Sequence, residues 1–183
     1  MNKEDVLDKY YSYLDENELY SVESKELYLK FLLSLNDSLY DAYVLLMELY
    51  YKSEDIGKGY GIIKLGYNKL MKNEFNNVFP KELDYYEVRN RDIYRLIYNY
   101  ADSLWLKEDT KGAMSLFKKL IDICPSDNLG VRYAICGILE GYESSYQIWN
   151  EQNQNIEIWF KEKMKKHIST KGYEYMRIYL EDK

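Results

Sequence analysis

The sequence predicts an all-α chain built from antiparallel helical hairpins. Apolar residues recur at spacings of three and four from end to end, with no sustained alternation of period two. Two prolines and nine glycines in 183 residues are too few to punctuate a sandwich of many short strands. The stretch 88–141 reads in order as helix, tight turn, helix, capped break and helix.

Val6, Leu7, Tyr10, Tyr11 and Leu14 share one face, which predicts a first helix over 4–15. Ser21 or Ser24 can cap a second over 22–35, with Leu27, Phe31 and Leu35 at i, i+4 and i+8 and Tyr28 and Leu32 beside them. Asn36-Asp37-Ser38 interrupts the pattern. Ser38-Leu39-Tyr40-Asp41 then has the Ser-x-x-Asp form of a capping box, opening a third helix over 39–52. Ser53 can cap a fourth over 54–75, although part of 54–61 also reads as loop. Gly57, Gly59, Gly61 and Gly66 fall inside that pattern. Each costs about 1 kcal/mol against Ala in a helix interior, and close helix–helix approach is the packing reason that offsets such a cost.

The stretch 76–86, with Pro80, is the most loop-like part of the chain, and any internal boundary of a single helical-repeat domain over 1–183 is expected there. Helices follow over 89–107, 110–123 and 128–140. Lys107-Glu108-Asp109-Thr110 makes the first turn, with Asp109 as its turn and capping residue. Pro125 stops the second of these helices, Ser126 or Asp127 caps the third, and Gly141 ends it. Three more helices are expected over 142–152, 156–167 and 170–181, separated by Gln152-Asn153-Gln154-Asn155 and Ser169-Thr170. The count is eight to ten helices.

A weak repeat near 34 residues overlies these hairpins. Ala101, Ala113, Phe117, Leu120 and Pro125 fit a frame in which small residues face each other across two helices and a proline ends the second. Met47, Gly59, Ile63 and Gly66 fit it upstream, with one position too large and no proline. Beyond Asn128 the pattern degrades, as in a terminal capping unit.

The span 79–141 resembles a group of bacterial tetratricopeptide-repeat proteins. That group enters a hairpin with an Asn-Arg-Pro-Tyr-x-Arg-Ala-like segment and closes it with one resembling Asn-Pro-Asn-Asp-Asn-Gln-Gly-Val-Arg-Tyr. Here the entry is Asn90-Arg91-Asp92-Ile93-Tyr94-Arg95, with Asp92 in place of proline and Ile93 preceding Tyr94. The closure is Cys124-Pro125-Ser126-Asp127-Asn128-Leu129-Gly130-Val131-Arg132-Tyr133. The resemblance covers about a third of the chain. It implies a tetratricopeptide-like right-handed array and brings no catalytic residue.

In that architecture the first helix of each hairpin lines the concave surface. Arg91 and Arg95 lie one turn apart on one face, and Arg95, Tyr98 and Arg132 can converge on a groove suited to a carboxylate, either a peptide C-terminus or an acidic side chain. A structural reading accounts for the same residues. Asp127 can cap the seventh helix, Asn128 can satisfy turn carbonyls, and Arg132 can bridge back to the preceding hairpin. Tyr94 and Tyr98, with Ile97 and Ala101, form an i, i+4 ladder that reads as helix–helix core. Trp105, Trp149 and Trp159 read as packing between helices.

Composition narrows the function further. A net charge of −6 and a pI near 5.0 disfavour nucleic acid and anionic membrane as partners. The 22 tyrosines fit either a binding surface or a coding bias that also favours Lys, Asn and Ile. No stretch approaches the roughly 20 apolar residues of a membrane span, and MNKEDVLDKYYSY has no apolar signal core. Cys124 and Cys136 read as buried reduced thiols, and the cytoplasm is the expected compartment.

The single histidine, His167, sits beside Lys165 and Lys166 and reads as a surface or helix-capping residue. The glycines of 57–66 lack the strand, Lys and Ser/Thr of a phosphate loop. The basic run from Lys161 to His167, interleaved with glutamate, reads as a solvated face. The expectation is a non-catalytic protein- or peptide-binding scaffold without a cofactor. Two alternatives stand beside it: a structural homo-oligomer, and a regulator that binds phosphate or nucleic acid through Arg91, Arg95 and Arg132.

Overall fold

The computed structural model of the chain describes residues 3–152 and 154–181. Among these residues there are nine α-helices, two 3-10 helices and no strand. Among the described residues no helix is long and apolar enough to cross a membrane. The chain forms two compact units, Met1–Tyr100 and Ala101–Lys183, and the division falls within one helix, α5 (Val88–Leu106).

The first unit contains α1 (Lys3–Glu16), α2 (Val22–Leu35), α3 (Tyr40–Lys52), α4 (Ile56–Asn73) and the start of α5. Val6, Tyr10 and Tyr13 of α1 close on Leu29 and Leu32 of α2 and on Ala42, Leu46 and Tyr50 of α3. Tyr11, expected on the buried face of α1, is exposed instead. On α2 the expected stripe faces outward. Leu27, Phe31 and Leu35 stand 70%, 48% and 41% exposed, while Leu29 and Leu32 are buried. Apolar residues surround α2 on nearly every side, so spacing alone does not choose a face. Packing on α1 and α3 chooses it.

Ser21 caps α2, its hydroxyl accepting the Ser24 N–H at 3.2 Å. The expected capping box at Ser38 is absent: Leu39 occupies the cap position and makes no side-chain cap bond. The entry to α3 is buried, and Asp41 turns to partners in other helices. Asp55 rather than Ser53 caps α4, accepting the Lys58 N–H at 3.0 Å after Glu54 turns the chain at φ 60°.

The close approach implied by the glycines of α4 is real at two of them. A Cβ on Gly59 would stand 2.1 Å from the Tyr51 ring, and one on Gly66 would stand 2.6 Å from Cγ of Tyr43. Gly61 faces open space. Tyr67 of α4 stacks on Tyr100 of α5 with ring centroids 4.4 Å apart.

The second unit contains the end of α5, α6 (Thr110–Ile123), α7 (Val131–Glu140), α8 (Ser145–Gln152), α9 (Ile156–Met164) and a 3-10 helix (Glu174–Tyr179). Asp109 caps α6 by accepting the Gly112 N–H at 2.9 Å. Ala101, Ala113, Phe117 and Leu120 are all buried, and Trp105 meets Phe117 edge-on. The α6 ladder stops at Cys124, before Pro125, which has no N–H to offer.

The next helix begins at Val131, three residues later than expected, because Gly130 takes a left-handed conformation at φ 70°. Gly137 lets α7 settle against α8: a Cβ there would come within 2.1 Å of Ile148. Trp105 and Trp159 are buried, whereas Trp149, expected in packing, is 57% exposed. Asn153, in the expected break before α9, lies outside the described residues. The last expected helix, 170–181, is a short 3-10 segment opened by Gly172 at φ 92°.

Candidate partner-binding site

The residues singled out by sequence fall into two groups, one in each unit. In the first unit, the opening turns of α5 carry Arg91, Tyr94, Arg95 and Tyr98. Tyr94 is buried at the root of this face. Its hydroxyl donates to the Leu83 carbonyl at 2.6 Å, and its ring meets Tyr85 at 5.4 Å, so it pins the loop that precedes α5. Asn90 adds a bond from Nδ2 to the Asp84 carbonyl at 2.9 Å. Arg91 is exposed and lies over the Tyr85 ring, 5.8 Å from its centroid, a cation–π arrangement. Tyr98 is half-buried.

Arg95 reaches Asp41 of α3, Nη1 to Oδ1 at 2.5 Å, with its side chain 44% exposed. Asp41 is buried and also accepts the Tyr10 hydroxyl. Burial, then the Asp41 charge, hold the Tyr10 phenol far above its ordinary range. Asp92 stands beside the same pair. Burial and Asp41 push it up to about 6, with Arg95 pulling the other way. One arginine therefore serves two carboxylates, one of them buried. No sequence signal announces Asp41 as a partner, since it lies in another helix.

In the second unit, Asp127 and Arg132 organise the turn into α7. The Asp127 carboxylate accepts the Val131 N–H at 2.6 Å, the Arg132 N–H at 3.1 Å and Arg132 Nη1 at 2.9 Å. Arg132 Nη2 reaches Glu157 of α9 at 3.1 Å and the Tyr133 hydroxyl at 2.5 Å. The guanidinium lies over the Tyr133 ring at 4.2 Å. Burial works against the Glu157 charge, but Tyr133 and Arg132 hold its carboxyl below the usual range. Burial and the bond to Glu157 push Tyr133 up to about 12. Asn128 donates from Nδ2 to the Ser126 hydroxyl at 3.1 Å, and the Pro125 carbonyl accepts the Tyr179 hydroxyl at 2.7 Å.

These contacts tie Arg132 into the fold, with two carboxylates and an aromatic face around it. Glu157 and Tyr179 are far away in sequence and carry no motif. His167 is a further case: with Lys166 it pairs to Glu140, at 2.6 and 2.8 Å, joining the end of α7 to the segment after α9. Among the described residues no group of His, Cys, Asp and Glu could hold a metal ion. Comparison with protein-family models, with curated proteins and with solved structures yields no match.

Proposed function

We propose that the chain is a non-catalytic, tetratricopeptide-like helical-hairpin module that binds a protein or peptide on the Arg91–Arg95 face of α5. One observation carries the reading. Arg91 and Arg95 stand exposed one turn apart, and among the described residues no carboxylate pairs with Arg91. Guanidinium groups so placed take carboxylates bidentately, so the partner presents an acidic segment or a free C-terminus.

The class is supported by the hairpin frame. Met47, Gly59, Ile63 and Gly66 are buried in one hairpin, and Ala101, Ala113, Phe117 and Leu120 in the next. Small residues in such frames set the distance at which helices cross. The proposal places the module in the cytoplasm, with Cys124 and Cys136 as reduced thiols. Both are buried and free, and burial, then the Glu140 charge, push Cys136 up to about 12.

Fluorescence anisotropy with labelled acidic peptides tests the reading, each peptide in free-acid and C-terminally amidated form. Saturable binding that weakens with salt is expected, reduced at least about tenfold by Arg91→Ala combined with Arg95→Ala. Arg91→Ala alone keeps the Asp41 pair intact and controls for folding. Absence of binding to the folded chain across the peptide set overturns the proposal.

A further inference from the structure

The C-terminal segment is attached to the rest of the second unit through side chains. Its backbone bonds are local: Tyr173 N–H to Thr170, Met176 to Tyr173 and Leu180 to Arg177. Side chains supply its hold on the helices. Lys118 of α6 donates to the Gly172 carbonyl at 3.4 Å and lies 4.2 Å above the Tyr173 ring. Met176 is completely buried. Tyr179 bonds to the Pro125 carbonyl at 2.7 Å, with its ring 5.7 Å from the Arg132 guanidinium. Tyr173, Met176 and Tyr179 are three residues apart, the 3-10 period, so one edge of the segment makes all three contacts.

The surface it covers extends beyond its Tyr173 end. Tyr173 walls a groove of about 490 Å³ lined by Thr110, Met114, Ile138 and Leu139. At the other end Ile178, Tyr179 and Glu181 themselves form one wall of a cleft of about 360 Å³, facing Pro125, Arg132 and Glu157. The segment itself is shallowly held: Glu174, Arg177 and Ile178 are exposed, Tyr173, Tyr175 and Tyr179 are half-buried, and the buried Tyr175 hydroxyl finds no hydrogen-bond partner among the described residues. A segment with one buried anchor and local backbone bonds belongs to the least stable part of a fold.

We propose that this surface is a second docking site, distinct from the Arg91–Arg95 face, for a partner segment of the form Tyr-x-x-Met-x-x-Tyr. The chain's own 173–179 segment occupies it as a displaceable occupant in cis. The contacts define the fit: an ammonium over the first ring, a fully buried position for the thioether, and a carbonyl and a guanidinium at the second ring. A longer partner gains the groove beyond Tyr173, to which the resident segment contributes only that ring. The resident segment acts at an effective concentration in the millimolar range, so it sets a threshold that a partner has to exceed.

The test uses a labelled peptide of residues 172–180, GYEYMRIYL, and the full chain. Met176→Asp should release the resident segment, and the peptide should then bind at least about tenfold more tightly than to the unaltered chain. Adding Lys118→Glu should abolish the gain, as should an Asp at the methionine position of the peptide. Circular dichroism melting confirms folding. If Met176→Asp does not fold, Tyr173→Ser with Tyr179→Ser, both at half-buried positions, replaces it. Folded variants that bind the peptide no better than the unaltered chain overturn the proposal. So does a doubling of mass in the unaltered chain that Met176→Asp removes, because the occupant would then be a second copy's segment.

Discussion

Arg132 and Asp127 close the entry to α7 on each other, with Nη1 donating to Oδ2 at 2.9 Å while the same carboxylate accepts the first two N–H groups of the helix. Asp127 holds a left-handed conformation at φ 50° to do this, and its side chain is fully buried. Asp127→Ala should cost about 2–4 kcal/mol, because it orphans two helix N–H groups and removes one of the two carboxylates around the guanidinium. Arg132→Ala should cost a similar amount by leaving the buried carboxylate without its counter-charge. Glu157→Gln should cost under about 1 kcal/mol, since Glu157 is half in solvent. Urea midpoints of the three variants check the order, and an Arg132→Ala variant as stable as the parent would remove Arg132 from this structural role.

Two of the four glycines of α4, Gly61 and Gly66, make opposite predictions. Gly66→Ala drives a methyl into Tyr43 and Leu96, at 2.6 and 3.0 Å, and should cost about 1–3 kcal/mol. Gly61→Ala meets nothing and should stabilise by about 0.5–1 kcal/mol through helix propensity and a less flexible unfolded chain. Thermal melts that shift the same way in both variants would contradict the packing described for Gly66.

Asp92 gives the first unit a pH dependence of defined sign. Its pKa is raised, from 3.8 to about 6, by burial and then by Asp41. Between about pH 4 and 6 the folded chain therefore holds a proton that the unfolded chain has released. The associated stability is complete below pH 4 and is lost as pH rises towards 6. Asp92→Asn should remove that slope and leave the variant more stable at pH 7 by roughly 1–3 kcal/mol. Melting temperatures of parent and variant at pH 4, 5, 6 and 7 test it, and parallel profiles would refute it.

The two faces of α2 should differ sharply in mutational cost. Leu32→Ala empties a fully buried position and should cost about 2–5 kcal/mol. Leu27→Ala, at a position 70% exposed, should cost less than about 0.5 kcal/mol. Equal losses in denaturant titrations would mean that the exposed stripe is covered in solution.

Much of the local architecture is written in short stretches of sequence. Ser21 and Asp109 cap helices because a side-chain oxygen two or three residues from an N–H needs no distant help. Pro125 stops α6, and Gly59 and Gly66 mark close helix approach, for equally local reasons. Which face of α2 is buried was not legible, because Leu27, Leu29, Phe31, Leu32 and Leu35 are interchangeable until α1 and α3 cover one side. The candidate site divides the same way. The arginines and their one-turn spacing are visible in sequence. Only the tertiary structure brings Asp41 to Arg95, Glu157 to Arg132 and Tyr173 to Lys118, since a charge or ring finds its partner through packing between distant segments that no spacing rule encodes.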